Sequence, residues 1–283
     1  MNSLRKYWDF REFKDKTIQY VTATISIVFA ISPDFILNYK ITFLNDYPQL
    51  NDVFVRLFII GTILLFSWII IIKQMITRKE IIIKGKNYCI KIEYGDIFKI
   101  NGCKKVISFD ECFTTTIGDN PENIYPNSIC GQFLSMHPNL RFKMNKLIRN
   151  AGISPLNDSS NFAHKTRYKS GTIVPFEDYL LLAFVPLDIS GRGKMTYEQY
   201  LDSLSTLWKE IDKYHAGKDV CIPILGSSSA THINDKELTK QELLDVIIAS
   251  YKLSADKLQS PCTLHIICKP DENFSLNQIG KFI

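Results

Sequence analysis

The sequence predicts an α/β domain standing behind an N-terminal transmembrane helical hairpin, and three observations predict it. Residues 57–72 read LFIIGTILLFSWIIII, and the stretch 17–31 ahead of them carries no charge. The later run Tyr179 to Pro186 is nearly all apolar and shows no alternation, which marks a strand covered on both faces. The order strand, Gly/Ser loop, helix then occurs twice in succession, the grammar of parallel strands joined by crossovers and hence of three layers, α/β/α.

The composition fits a folded chain. Its 283 residues are 46% hydrophobic, 12% aromatic and 22% charged with 13 glycines, which excludes disordered, collagen-like and low-complexity proteins. The formal charge of +5, from 34 basic and 29 acidic residues, is too small an excess for a dedicated nucleic-acid binder, and no nucleic-acid partner is expected. Cys89, Cys103, Cys112, Cys130, Cys221, Cys262 and Cys268 include no C-x-x-C pair, so neither a disulfide framework nor a zinc cage is described. Reduced thiols in a cytosolic domain are expected.

The membrane domain is expected over residues 1–79. Its second span, Val53 to Ile76, exceeds the roughly 20 residues that cross a ~30 Å hydrocarbon layer, with Arg56 and Lys73 near its ends. The first span, about 17–37, is diluted by Gln19, several threonines and Asp34, and Pro33 breaks its helix. The small-x-small triplet Ala30-Ile31-Ser32 also fits a cleaved signal peptide. Acidic Asp9, Glu12 and Asp15 in the leader, Pro33 directly after the cut and a second span about twenty residues later oppose that reading. Arg5, Lys6, Arg11, Lys14 and Lys16 precede span one and Lys73, Arg78, Lys79, Lys84 and Lys86 follow the core of span two, while the loop between holds little more than Lys40. The positive-inside bias places both termini on the cytoplasmic side of the cell inner membrane. The aromatic and basic leader MNSLRKYWDFREFKDK fits the inner leaflet and an ordinary flank equally.

Residues 80–283 are expected to form one cytosolic domain. Strands are predicted at Ile81 to Ile83, Tyr88 to Ile92, Lys105 to Phe109, Gly171 to Phe176 and Tyr179 to Pro186. Leu140 to Ile153 is a basic amphipathic helix, read as a solvated face or as one near anionic lipid headgroups. After Leu187-Asp188-Ile189 comes a first loop, Ser190, Gly191, Arg192, Gly193 and Lys194, and Thr196 with Gln199 then caps a helix whose apolar face runs from Tyr200 through Trp208 to Tyr214. The second unit is strand Val220 to Leu225, loop Gly226, Ser227, Ser228, Ser229 and Ala230, and a helix capped by Thr239 and Glu242. A final strand is expected from Thr263 to Cys268. Placed on adjacent parallel strands, the two loops would share a crevice at the carboxyl edge, where backbone N–H groups, Arg192 and Lys194 suit phosphate. Bare connecting turns are the alternative. Neither loop is G-x-x-x-x-G-K-[ST] or G-x-G-x-x-G, which argues against a P-loop NTPase and a dinucleotide dehydrogenase.

Lys91-Ile92-Glu93-Tyr94-Gly95-Asp96-Ile97 resembles the strand-end G-D-I signature of macro domains, in which the aspartate receives the adenine amino group of ADP-ribose. The strand 220–225 with its loop 226–230 resembles their phosphate cradle, and the likeness covers about residues 86–270. Behind two spans, the layout is similar to the transmembrane-macro effectors of type II Thoeris, a bacterial antiphage defence. The resemblance implies a macro-like domain with a mixed sheet, no cofactor, and a ligand that is an ADP-ribose derivative, such as a histidine conjugate, made as a second messenger by a separate TIR-domain enzyme. It further implies a homo-oligomer acting on the lipid bilayer. Asp96 and Ile97 would then meet the adenine.

One departure bears on activity. Where hydrolytic macro domains carry an Asn-Ala-Asn-like strand end and a glycine run, this chain reads Ser108-Phe109-Asp110-Glu111-Cys112-Phe113-Thr114-Thr115-Thr116, so no catalytic residue carries over. Phe109 and Asp110 stay as candidate ligand contacts, and Asp110 and Glu111 are either a base at a ribose or solvated or capping groups. Ser128 to Gly131 opens a helix, against a pyrophosphate or as a plain helix start. A membrane-anchored ADP-ribosyl hydrolase and an ADP-ribose-binding interaction module are the alternative functions. His137, His164, His215, His232 and His265 show no ligand spacing and no metal is expected, and Cys221 reads as core.

Overall fold

The apolar run at 57–72 lies inside a single long helix, α1 (Pro48–Ile76), in a computed structural model that describes residues 17–26, 48–120, 122–227, 231–233, 238–271 and 274–279. The chain divides into two units between Arg78 and Lys79. In the first, α1 has 29 residues, about 44 Å at 1.5 Å per residue. Among the described residues, one helix is long and apolar enough to cross a membrane: Gln49–Ile76, with mean hydropathy 2.5 and Leu57, Phe58 and Phe66 exposed. Residues 17–26 are helical, and a crevice of ≈ 290 Å³ lined by Tyr20, Thr24, Thr62, Ile63, Phe66, Ser67 and Ile70 lies between them and α1. The rest of the expected first span, with Pro33 and the loop after it, lies outside the described residues.

In the second unit, among the described residues, seven strands form one sheet in the order β1-β2-β9-β7-β3-β5-β4. They are β1 (Glu80–Lys84), β2 (Cys89–Tyr94), β3 (Cys103–Asp110), β4 (Ile173–Phe176), β5 (Tyr179–Val185), β7 (Asp219–Pro223) and β9 (Thr263–Cys268). The five inner strands run parallel, while β1 and β4 lie antiparallel at the edges, so the sheet is mixed. Alternation sorts the side chains onto two faces. Ile90, Ile92, Val106, Leu182, Ile222, Leu264 and Ile266 share one core with α4 (Tyr197–Tyr214) and α5 (Lys240–Leu253). Ile107, Phe109, Val174, Leu181 and Ala183 share the other with α2 (Ile129–Met136) and α3 (Leu140–Asn150). β5 feeds both cores, which is why it reads as unbroken apolar sequence.

The helices follow their local signals. Thr196 with Gln199, and Thr239 with Glu242, form reciprocal capping boxes that satisfy otherwise orphaned amides. Trp208 and Tyr251 are fully buried with ring centroids 5.0 Å apart, and Trp208 Nε1 donates to Ser250 Oγ at 2.6 Å, joining α4 to α5. The expectation that the two Gly/Ser loops leave adjacent strands is corrected here: they leave β5 and β7, and β3 runs between those strands. The loops meet by another route. β6 (Gly193–Met195) and β8 (Thr231–Ile233) pair in parallel as a separate ladder, Gly193 opposite Thr231 and Met195 opposite Ile233.

Candidate functional site

Parallel strands place their carboxyl ends on one edge, and the loops leaving that edge build the concave surface of an open α/β sheet. There, at the ends of β2, β7 and β9, lies a cavity of ≈ 150 Å³ lined by Gly95, Asp96, Ile97, Phe98, Ile129, Gln132, Pro223, Ile267 and Lys269. Pockets for drug-sized ligands span about 300–1,000 Å³, so this one suits a single ring system, with the remainder of a larger ligand left outside it.

Asp96 stands at the wall by its backbone geometry. It caps a 3-10 turn (Ile97–Lys99), its Oδ1 accepting Phe98 N–H at 3.0 Å, which leaves Oδ2 without a partner among the described residues. A carboxylate so fixed suits an amino group on a bound ring. Ile97 turns inward, 3% exposed, onto Cys103, Cys221 and Ile267 beneath the cavity. Pairing with the Cys103 thiol, together with burial, pushes the Cys221 thiol far up. Both thiols sit in this apolar cluster, 3% and 0% exposed.

The far wall is the start of α2. Ser128 caps it, its Oγ accepting Gly131 N–H at 2.9 Å and donating to Tyr125 C=O at 2.7 Å. Gly131 is buried, and a Cβ there would run into the Tyr125 and Pro126 carbonyls, so its close approach is to its own loop. Gln132 Nε2 donates to Asn127 C=O at 2.9 Å and closes that loop from inside the cavity wall.

Phe109 and Asp110 lie apart from the cavity lining. Phe109 is 2% exposed, with Phe113 and Phe133 ring centroids 5.8 and 6.2 Å away, and belongs to the core. Asp110, 6% exposed, accepts Cys112 N–H at 2.8 Å and Thr114 N–H at 3.1 Å, and burial pushes its carboxyl up against those bonds. Glu111, 2% exposed, accepts from Leu187 N–H at 3.2 Å and Arg167 Nη1 at 3.1 Å, and burial again outweighs them and raises its carboxyl. Of the roles open in the sequence, capping fits Asp110; neither group is solvated.

The first loop closes on itself. Asp188 Oδ1 accepts Ser190 N–H at 2.8 Å, Ser190 Oγ at 2.7 Å and Arg192 N–H at 3.0 Å, and Gly191 N–H donates to Asp188 C=O at 3.0 Å. Burial acts to raise the Asp188 carboxyl, but these bonds prevail and hold it below its usual range. The amides of Ser190, Gly191 and Arg192 are thus engaged within the loop, with the Arg192 side chain exposed. Gly193 is buried in β6. Gly191 adopts φ 81°, and a Cβ on it would stand 3.0 Å from Glu122 Cα. In the second loop Gly226 has φ 82° and lies under Ile233, while Ser227 Oγ donates to Ile224 C=O at 2.6 Å. Tyr200 Oη, fully buried on α4, donates to Leu225 C=O at 3.0 Å and anchors this loop. Ser228, Ser229 and Ala230 lie outside the described residues. Among the described residues no three His, Cys, Asp or Glu side chains group as metal ligands; His265 bridges Glu93, at 2.9 Å, and Asp219, at 3.3 Å.

The model of the family "Thoeris protein ThsA, Macro domain" matches residues 90–269, more than half of the chain. The chain belongs to the ThsA macro-domain family. It is 28% identical over 282 residues to the Thoeris protein ThsA of Bacillus amyloliquefaciens (strain Y2), with 95% of this chain and 91% of that one covered. A solved mutant macrodomain of Oceanobacillus iheyensis is 9% identical, with 71% of this chain and 95% of that chain covered and a TM-score of 0.46. The macrodomain of Thermus aquaticus DarG is 10% identical, with 64% and 97% covered and a TM-score of 0.37.

The ThsA match begins at Ile90, inside β2, and ends at Lys269, the last residue of the cavity wall, so the whole lining falls within it. Of the residues singled out in the sequence, the ThsA macro domain brings Asp96 and Ile97 to the cavity. Ser128 and Gly131 shape its far wall from behind. Phe98, Ile129, Gln132, Pro223, Ile267 and Lys269 complete the lining without a sequence motif to mark them; strand-end position is the signal for Pro223, Ile267 and Lys269.

Proposed function

We propose that this chain is the membrane effector of a bacterial antiphage defence system, whose macro domain binds an ADP-ribose-derived second messenger, such as a histidine conjugate, made by a TIR-domain enzyme. Binding rearranges a homo-oligomer at the cell inner membrane and disrupts the bilayer; no catalytic step is part of the reading. The observation that carries it is the cavity at the ends of β2, β7 and β9 with the Asp96 carboxylate on its wall, in a ThsA-family chain that also bears the apolar helix Gln49–Ile76. Asp96 receives the adenine amino group, and the loops after β5 and β7 lie on the same sheet edge for the diphosphate.

A ligand shifts such a switch only by its differential affinity for the two states, and moving a 1:99 population to 99:1 takes about 10⁴-fold. The test is dye release from vesicles holding the purified full-length chain, with ADP-ribose and its histidine conjugate supplied in turn. Release on addition of a ligand that calorimetry shows to bind supports the reading; binding with tight vesicles refutes the effector step, and turnover of the ligand refutes the absence of catalysis.

A further inference from the structure

α3 buries Leu140, Met144 and Ile148 against the sheet and turns the opposite face outward. That face carries Arg141, Lys143, Lys146 and Arg149, all exposed, and between the first two of them Phe142 is 75% exposed. The Arg141 guanidinium lies 4.7 Å from the Phe142 ring centroid, so the apolar ring and a cation present themselves together. Residues 123–157 contain no Asp or Glu, although the whole chain balances 34 bases with 29 acids. The basic charge here is therefore concentrated and lacks local acidic partners in the sequence.

We infer that the exposed face of α3 is a docking surface for an acidic phospholipid bilayer. Clustered Lys and Arg on an amphipathic helix are drawn to anionic headgroups within about a Debye length, and an aromatic ring among them seats at the boundary between headgroups and acyl chains. A large apolar ring left 75% exposed in water gains from that boundary and gains nothing from a purely ionic partner. A bilayer is favoured over another polyanion because the same chain carries the apolar helix Gln49–Ile76. The inference rests on the reading that this helix holds the chain in a membrane; it adds that the macro domain itself lies on the lipid through α3, so its orientation depends on lipid charge.

The test uses the full-length chain with Phe142 replaced by the photoreactive p-benzoyl-phenylalanine, reconstituted into vesicles of phosphatidylcholine alone or with phosphatidylglycerol. Flotation first reports whether the chain resides in the vesicles at all, and failure there would sink the membrane reading rather than this one. With flotation established, irradiation is expected to give a lipid adduct at residue 142 in the acidic vesicles, and much less of it in neutral ones. Each base contributes about a fivefold factor in surface partitioning, so Lys143→Glu or Lys146→Glu should lower the adduct by about that much or more. Floating protein that gives no lipid adduct, equal adduct with both lipids, or cross-links instead to nucleic acid or a second protein chain would overturn the inference.

Discussion

Glu111 and Arg167 form an ion pair of 3.1 Å in which one partner is sealed and the other is not: the glutamate side chain is 2% exposed and the arginine 24%. The second Glu111 oxygen takes Leu187 N–H at 3.2 Å, and Arg167 also pairs with Asp158. One carboxylate thereby ties the end of β3 to Leu187, two residues past the end of β5, and to the 158–167 segment. Removing Arg167 would strand a buried charge. Breaking a fully buried pair costs about 3–5 kcal/mol, and with Arg167 partly hydrated Arg167→Ala is expected to lose about 1–3 kcal/mol in urea unfolding. Glu111→Gln keeps an acceptor for Leu187 and should cost less.

Asp110 and Glu111 set an unusual pH dependence. Both carboxyls are raised in the folded state, burial being the first cause in each. Such groups contribute stability that is full below their unfolded values and is lost as pH rises through the folded ones. The melting temperature should therefore rise as the solution is acidified from neutral toward the ordinary carboxylate range. Asp110→Asn keeps an acceptor oxygen for Cys112 and Thr114 while removing the charge, so it should flatten that rise. Glu93 opposes the trend further down: burial acts to raise it, but hydrogen bonds from Lys91 and His265 prevail and lower it, so its contribution disappears only at more acid pH.

Asp96→Ala is expected to weaken calorimetric binding of ADP-ribose by about tenfold or more, the usual worth of a charge-assisted hydrogen bond. The backbone bond from Phe98 is lost as well, so Asp96→Asn separates the two effects: it keeps the cap and removes the charge. Unchanged affinity in both variants would remove Asp96 from the site.

Tyr200→Phe leaves the buried Leu225 carbonyl without its donor at 3.0 Å and should cost about 1–3 kcal/mol. Gly226→Ala adds a Cβ at φ 82°, 2.7 Å from Ile233 Cδ1, and the left-handed backbone alone costs about 1–2 kcal/mol. Equilibrium unfolding in urea is the measurement that checks both losses. If the loop positions ligand, both variants should also bind more weakly in proportion.

The local features were legible. Both capping boxes, the unbroken apolar β5 and the helix opened at Ser128 follow from neighbours in sequence, and the structure has them. The closure of the first loop has a local signal too: an aspartate whose oxygen takes amides two and four residues on marks a turn at Asp188. Strand order was not. Nothing near Phe109 or Val185 states that β3 inserts between β5 and β7, because pairing partners far apart in sequence are chosen by the whole sheet. The cavity suffered for the same reason, since Phe98, Gln132, Pro223 and Lys269 come from four separate segments. Phe109 shows the cost of overlooking period two: with Ile107 it points to the α2 face and is core.

The three-residue pairing of Gly193–Met195 with Thr231–Ile233 has a mechanical consequence. Leu187 also bridges to Gly193, so the turn after β5 is fastened at its base before it is stitched to the segment after β7. A displacement felt by either segment is handed to the other, and through Met195 and Thr196 to the first turn of α4. Whatever presses on this clasp therefore registers as one event at a helix start, with no need for the two segments to be touched separately.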